Sequence, residues 1–217
     1  MMKPKSIAIL AVLGIAATLF FNKQQAMSAD KSPAKMPEIP EGHEQISLGA
    51  GCFWCVEAVY NRLDGVKSAV SGYTGGQLEN PTYTDICTGT TGHAEVVHLV
   101  YDPEKVSTKT ILAWFWKAHD PTTLNRQGND IGTQYRSAIY YYTDAQKAAA
   151  EASLKEAQKD FKSPIVTEIT KASTFYPAEI YHQDYYRING QKNGYCRAII
   201  APKIKKLGLE DKAKVAE

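Results

Sequence analysis

The chain alternates short β-prone runs with segments of helical length, and that alternation narrows the choice of fold more than any other feature. Residues 45–50 read as a strand that leads directly into a helical segment over 52–63. Residues 66–73 and 95–101 follow as strands, the latter carrying Val96, Val97, Leu99 and Val100. Ser107 is placed to cap a helix through Ala118, in which Ile111, Leu112, Phe115 and Trp116 recur at helical spacing. Residues 136–142 form a fourth strand, Asp144 caps a helix to about residue 160, and 165–170 form a fifth strand after Pro164. The order β-α-β-β-α-β is the split βαβ arrangement. It predicts an α/β (α+β) two-layer sandwich, with a mixed or antiparallel sheet and a ferredoxin-like core flanked by helices. The stretch after Thr174 reads as loops with a short helix.

Composition excludes several other classes. Of 217 residues, 44% are hydrophobic and 22% charged, averages that fit neither a disordered chain nor a fibrous one. With 25 basic against 23 acidic side chains, there is no electrostatic reason to expect a nucleic-acid partner. Four cysteines are too few for a disulfide scaffold at this length.

The first residues differ from the rest. Lys3 and Lys5 precede an uncharged stretch over 6–21, and small residues follow at Ala26, Ser28 and Ala29. This is the layout of a secretory signal over residues 1–29, with an uncleaved membrane anchor through residues 6–21 as the alternative. Residues 30–43 contain Pro and Lys without periodicity and read as a linker. The domain then spans 44–207, with a tail over 208–217. An exported location, periplasmic or extracellular, is expected. Residues 1–29 hold Lys3, Lys5 and Lys23 and no acid, so cleavage would take the formal charge from +2 to −1.

Gly51-Cys52-Phe53-Trp54-Cys55 stands at the junction of the first strand and first helix. A cysteine in a first helical turn lies near unsatisfied N–H groups, so Cys52 is expected to have a lowered pKa. Cys52, Val56, Val59 and Leu63 share a helical face, which would leave that first turn at the surface. Cys52-x-x-Cys55 can be read as a dithiol that exchanges disulfides. Cys52 can also be a nucleophile toward a small substrate, or both cysteines can simply be buried. His93 and His98 flank Glu95 but are separated by an odd number, which puts them on opposite faces of a strand and gives no metal site.

Further motifs discriminate among these readings. Ser-Gly-Tyr-Thr-Gly-Gly at 71–76, Asn-Pro-Thr-Tyr at 80–83 and Thr-Gly-His-Ala-Glu-Val-Val at 91–97 follow the cysteine motif. His-Asp-Pro-Thr-Thr-Leu-Asn-Arg-Gln-Gly-Asn-Asp at 119–130, Gly-Thr-Gln-Tyr-Arg-Ser at 132–137 and His182-Gln183-Asp184-Tyr185 complete the set. Across residues 44–207 the chain resembles the A-type peptide methionine sulfoxide reductases. The resemblance implies Cys52 as nucleophile, Glu95 as acid, Tyr83 and Tyr135 as assisting phenols, and Asp130 nearby. It implies Phe53 and Trp54 as walls around the substrate methyl group, and the S epimer as substrate. It implies no cofactor or metal, an external thioredoxin-like thiol reductant, and oxidised proteins as clients. Read alone, Glu95 would be a strand-edge carboxylate and His182 a structural group as readily as a substrate contact.

Turnover requires a second thiol to condense with the Cys52 sulfenic acid. Cys196, in a C-terminal part expected to be flexible, is the first choice. Cys55 is the second, with local unwinding of its helix expected as the condition of bonding. Cys87 could be merely buried. The sequence departs from relatives with Gly after Phe-Trp and from those with two C-terminal cysteines. Beside the sulfoxide reductase stand two other readings, a general dithiol oxidoreductase using Cys52 and Cys55 and a non-enzymatic module that binds oxidised proteins.

Overall fold

The computed structural model describes residues 30–190 and 192–210, so the leader expected over 1–29 and the end of the tail lie outside the described residues. In chain order the elements are β1 (Glu44–Ala50), α1 (Phe53–Tyr60), β2 (Val66–Thr74), α2 (Tyr83–Cys87) and β3 (Ala94–Tyr101). Then come α3 (Thr108–Ala118), β4 (Arg126–Gln127), β5 (Asp130–Ile131), β6 (Ser137–Tyr141) and α4 (Asp144–Ala157). The chain continues through β7 (Glu168–Lys171), β8 (Tyr176–Pro177), α5 (Tyr185–Asn189), a π-helical turn (Cys196–Ile200) and α6 (Ala201–Lys206).

Six strands form one sheet in the order β7-β6-β1-β3-β2-β8. Its inner four, β6-β1-β3-β2, are antiparallel at every pairing. Since β1 and β2 both run against β3, they are parallel to each other with β3 inserted between them. This is the split βαβ core expected from the order of elements. Parallel pairing of β7 with β6 makes the sheet mixed.

Alternation along β3 separates the two faces. Val97, Leu99 and Tyr101 belong to the main core with Val56 and Val59 of α1 and Ile111, Leu112 and Phe115 of α3. Ala94 and Val96 join Ala138, Tyr140 and Phe175 in a smaller cluster. Glu95 shares the parity of Val97 and therefore faces α1. It lies near the start of an interior strand of the sheet.

Local chemistry sets the helix ends. Ser107 accepts the Thr110 N–H as expected, whereas α4 is capped by Thr143, which accepts the Gln146 N–H and leaves Asp144 inside the helix. The unanticipated α2 carries a capping box between Thr82 and Asp85. Helix α1 ends at Tyr60, short of the expected Leu63, and it is buried almost throughout, so its first turn is not at the surface. Within the expected linker, Pro33 bridges Glu179 and Ala34 N–H donates to Ala178 O, which holds that part of the segment on the domain.

Candidate active site

The site begins where β1 ends. Gly51 has φ +84°, and a Cβ there would lie 2.5 Å from Gln127 Cβ, so only glycine makes this turn. Cys52 is the N-cap of α1, with φ −54° and ψ 122°, one residue before the first turn. Its carbonyl accepts the Cys55 N–H at 3.0 Å. The expected lowering of the Cys52 thiol is not found. A hydrogen bond with Cys55, burial, and the neighbouring Glu95 hold it well above the ordinary thiol value. The Cys52 hydrogen bond instead lowers Cys55 to about 7, against burial and with help from Lys203 and Tyr195. The influences on Cys52 outweigh the helix N-terminus on which it sits.

Glu95 enters from β3 and is buried, and its Oε2 accepts the Phe53 N–H at 3.1 Å. Burial raises its carboxyl to about 8, opposed by that backbone hydrogen bond. Near neutral pH it is therefore a proton donor. With Oε2 occupied as an acceptor, Oε1 is left to carry the proton. Tyr83 opens α2 and Tyr135 ends a short 3-10 turn; burial, then the charge of Glu95, raises both phenols, so both keep their protons.

Aromatic rings close the other side. Trp54 Nε1 donates to His182 Nδ1 at 3.1 Å, which makes Nε2 the protonated ring nitrogen. Burial lowers His182 to about 4, so the ring is neutral and serves as a fixed acceptor. Tyr185 stacks on Trp54 with centroids 3.7 Å apart and planes 5° from parallel. Glu179 supports the opposite wall, accepting the Tyr83 N–H at 2.8 Å and the Tyr73 hydroxyl at 2.9 Å.

One cavity of about 200 Å³ brings together Cys52, Phe53, Trp54, Tyr83, Glu95, Asp130 and Tyr135, all seven catalytic or substrate-binding residues expected from the sequence, together with Tyr195. Tyr195 was not among them. Its hydroxyl donates to Asp130 Oδ2 at 2.8 Å and lies 3.8 Å from Cys55 Sγ. The only sign of it in the sequence is its adjacency to Cys196. Glu179 and Tyr185 were likewise not anticipated in supporting roles, although Tyr185 lies inside one of the motifs.

The remaining candidates lie elsewhere or deeper. Cys87 is exposed rather than buried, and Cys196 is fully buried within the π-helical turn rather than in a loose tail. Cys55 is also buried, but as N3 of a helix whose N-cap is Cys52. His93 bonds Gly76 N–H and Leu78 O, while His98 bonds Ser47 and Tyr142 on the other face of the sheet. Among the described residues no group of three or more His, Cys, Asp or Glu is arranged to hold a metal.

A cysteine at the start of a helix, a buried carboxyl and two phenols thus line one aromatic-walled cavity, a site suited to thiol chemistry on a small substrate group. The family model for peptide methionine sulfoxide reductase matches residues 44–215. The chain is 54% identical over 163 residues to the peptide methionine sulfoxide reductase MsrA of Leptospira borgpetersenii, covering 75% of this chain and 92% of that one. It is 51% identical over 176 residues to the corresponding MsrA of Saccharolobus solfataricus, covering 80% and 99%. The reduced form of Mxr1 from Saccharomyces cerevisiae superposes with a TM-score of 0.70 at 32% identity, covering 76% of this chain and 95% of that one. The chain belongs to the peptide methionine sulfoxide reductase family. It reduces methionine sulfoxide to methionine.

Proposed function

We propose that this protein reduces the S epimer of methionine sulfoxide, in proteins and as the free amino acid, with Cys52 as nucleophile and Glu95 as acid. The observation that carries the assignment is the single cavity in which both groups meet Tyr83 and Tyr135. Cys52 thiolate attacks the sulfoxide sulfur while Glu95 and the phenols protonate or hydrogen-bond the oxygen, which is a poor leaving atom without them. Oxygen passes to Cys52 as a sulfenic acid and methionine leaves. Phe53 and Trp54 hold the methyl group, so the lone pair and oxygen of only one epimer can be aligned. A second thiol of the chain then forms an intramolecular disulfide, and an external thioredoxin-like dithiol restores the enzyme.

The basic and then apolar start of the chain supports export, either with cleavage near Ala29 or with residues 6–21 retained as an anchor. Its clients would then be oxidised exported proteins, and its reductant a thiol carrier outside the cytosol. A general dithiol oxidoreductase would account for Cys52 and Cys55 but leaves Glu95, Tyr83 and Tyr135 without a role.

Purified protein supplied with dithiothreitol and separated sulfoxide epimers tests the reaction. Methionine should form from the S epimer alone, and Cys52→Ser should abolish it. Turnover of the R epimer, or activity retained in Cys52→Ser, would overturn the assignment. Mass analysis of the N-terminus after fractionation tests export; an intact N-terminus on a cytosolic protein would refute it.

A further inference from the structure

We propose that Glu179 is a positioning residue for the sulfoxide step, one that locks the Tyr83 phenol in register with Glu95 by way of Tyr73. The proposal rests on the reading of Glu95 and Tyr83 as groups that meet the sulfoxide oxygen, and deepens it. Glu179 does not itself line the substrate cavity. It acts on the reaction by fixing where Tyr83 stands.

The need for such a residue lies in α2. A helix of five residues is too short to hold itself, so its place is set by what its ends are tied to. Tyr83 is its first residue, and the N–H of a first helical residue has no partner inside the helix. The capping box serves the N–H groups of Thr82 and Asp85. The Tyr83 N–H lies outside that box, and Glu179 Oε1 accepts it at 2.8 Å. The second carboxyl oxygen, Oε2, accepts the Tyr73 hydroxyl at 2.9 Å. Tyr73 stands directly opposite Glu95 in the β2–β3 ladder, and such pairs project from the same face of a sheet. One carboxyl therefore ties the start of α2 to the strand pair that carries the acid. Oε2 also lies 3.9 Å from His182 Nε2, beyond hydrogen-bond length, so the tie runs to Tyr83 and Tyr73 and not to the Trp54 wall.

Glu179 is itself held from two sides. Pro33 pairs with it in a β-bridge, and the Ile180 N–H donates to Ser32 O at 2.9 Å. On the other side the Ala178 N–H donates to Ser71 O of β2 at 2.9 Å. Removing the carboxyl would leave the Tyr83 N–H and the Tyr73 hydroxyl without their acceptor and free α2 to shift. A displacement of about 1 Å at a reacting group can cost about 100-fold in rate.

Double-substitution cycles on single-turnover methionine release from methionine S-sulfoxide test the proposal. They are run in a Tyr135→Phe protein, where Tyr83 is the remaining phenol of the pair. There Glu179→Leu, which removes both acceptor oxygens, should slow release by about 10- to 100-fold. Glu179→Gln keeps an oxygen for the Tyr83 N–H and an amide that can donate to the Tyr73 oxygen, so its rate should stay within about threefold. Once Tyr83→Phe is added, Glu179→Leu should slow release by no more than about twofold further, because the hydroxyl it positions is gone. Tyr73→Phe is the milder probe of the same tie. It should cost about three- to tenfold, again only while the Tyr83 hydroxyl is present, and it decides the matter if Glu179→Leu does not fold. Equal losses with and without that hydroxyl would overturn the proposal, since a merely structural role would act in both. A Glu179→Gln protein as slow as Glu179→Leu would overturn it too. Failure of the underlying reading looks different: the parent would release no methionine, or Tyr83→Phe would leave the Tyr135→Phe rate unchanged.

Discussion

The backbone N–H of Phe53 donates to Glu95 Oε2 at 3.1 Å, tying the first residue of α1 to the interior strand β3. The same bond that orients the carboxyl also fixes the start of the helix that presents Cys52. Glu95, raised to about 8 by burial, keeps its proton near neutral pH, and the Cys52 thiol is held well above its ordinary value by Cys55, burial and Glu95. The sulfoxide step should therefore lose rate as pH rises through about 8, where Glu95 gives up its proton. In Glu95→Gln the amide oxygen can still accept the Phe53 N–H, but no acidic proton remains. Its rate should drop roughly 100- to 10,000-fold and lose the falling limb. Single-turnover methionine release measured from pH 6 to 9.5 checks this; a parent-like alkaline limb in Glu95→Gln would refute it.

His182 holds the pocket wall through the hydrogen bond from Trp54 Nε1 at 3.1 Å. Replacement by Phe keeps an aromatic ring beside Phe53 and Tyr83 but leaves the indole N–H without its acceptor. Leaving such a donor unpaired costs about 1–3 kcal/mol. Because Trp54 lines the cavity as the proposed wall for the substrate methyl group, the loss should fall on KM more than on kcat. Steady-state kinetics on His182→Phe test this, and an unchanged KM would show that the bond does not set the wall. Burial keeps the ring neutral down to about 4, so no pH dependence above 5 should arise from it.

Glu57 is a second buried carboxyl, on α1, and its Oε2 accepts the Tyr185 N–H at 3.3 Å. Burial is the largest influence on it and raises it to about 8. A carboxyl whose folded-state pKa is raised binds its proton more tightly in the folded protein. Its contribution is fully present below the ordinary carboxylate value and is lost as pH rises through about 8, at ~1.4 kcal/mol for each unit of pKa difference. Glu57 and Glu95 act in the same direction, so Tm should fall between pH 5 and 9. Glu57→Gln should flatten that fall while preserving the acceptor that positions Tyr185 against Trp54. Thermal melts across this range decide the matter, and a flat parent Tm would rule the account out.

The legible part of this molecule is the part built from periodicity. Alternation in β1, β2, β3 and β6 and the helical spacing in α3 yield the sheet core and its order, because each pattern is written in consecutive residues. Two-residue strands such as β4 and β5 carry no period of their own and exist only through their partner. The site is harder to read for the same reason. Glu95 meets Phe53 across 42 positions, and Tyr195 meets Asp130 across 65, with no local signal for either pairing. Motif resemblance supplied Glu95, Tyr83, Tyr135 and Asp130, while Tyr195 and Glu179 emerged only once the chain was folded. The environment of Cys52 differs from the one expected because Cys55, burial and Glu95, the last from a strand 43 positions on, outweigh the helix N-terminus.

Gly51 shows how closely that position is controlled. Its φ of +84° lies in the left-handed region, and a Cβ would fall 2.5 Å from Gln127 Cβ and 2.6 Å from Gln127 Cγ. Gln127 cannot retreat freely, because its Oε1 accepts the Asp120 N–H at 3.0 Å and its backbone pairs with Asp130 in the β4–β5 hairpin. Gly51→Ala therefore meets both backbone strain and a packed neighbour, at a cost of about 1–3 kcal/mol. The displacement acts on two groups together, turning Cys52 away from Glu95 and pushing the hairpin that holds Asp130. A lowered Tm should accompany a loss of sulfoxide reduction larger than the stability change explains, because the folded fraction would remain high at 25 °C. Comparing Tm with single-turnover methionine release separates the two effects. Full activity in a folded Gly51→Ala protein would mean that the placement of Cys52 tolerates a different turn.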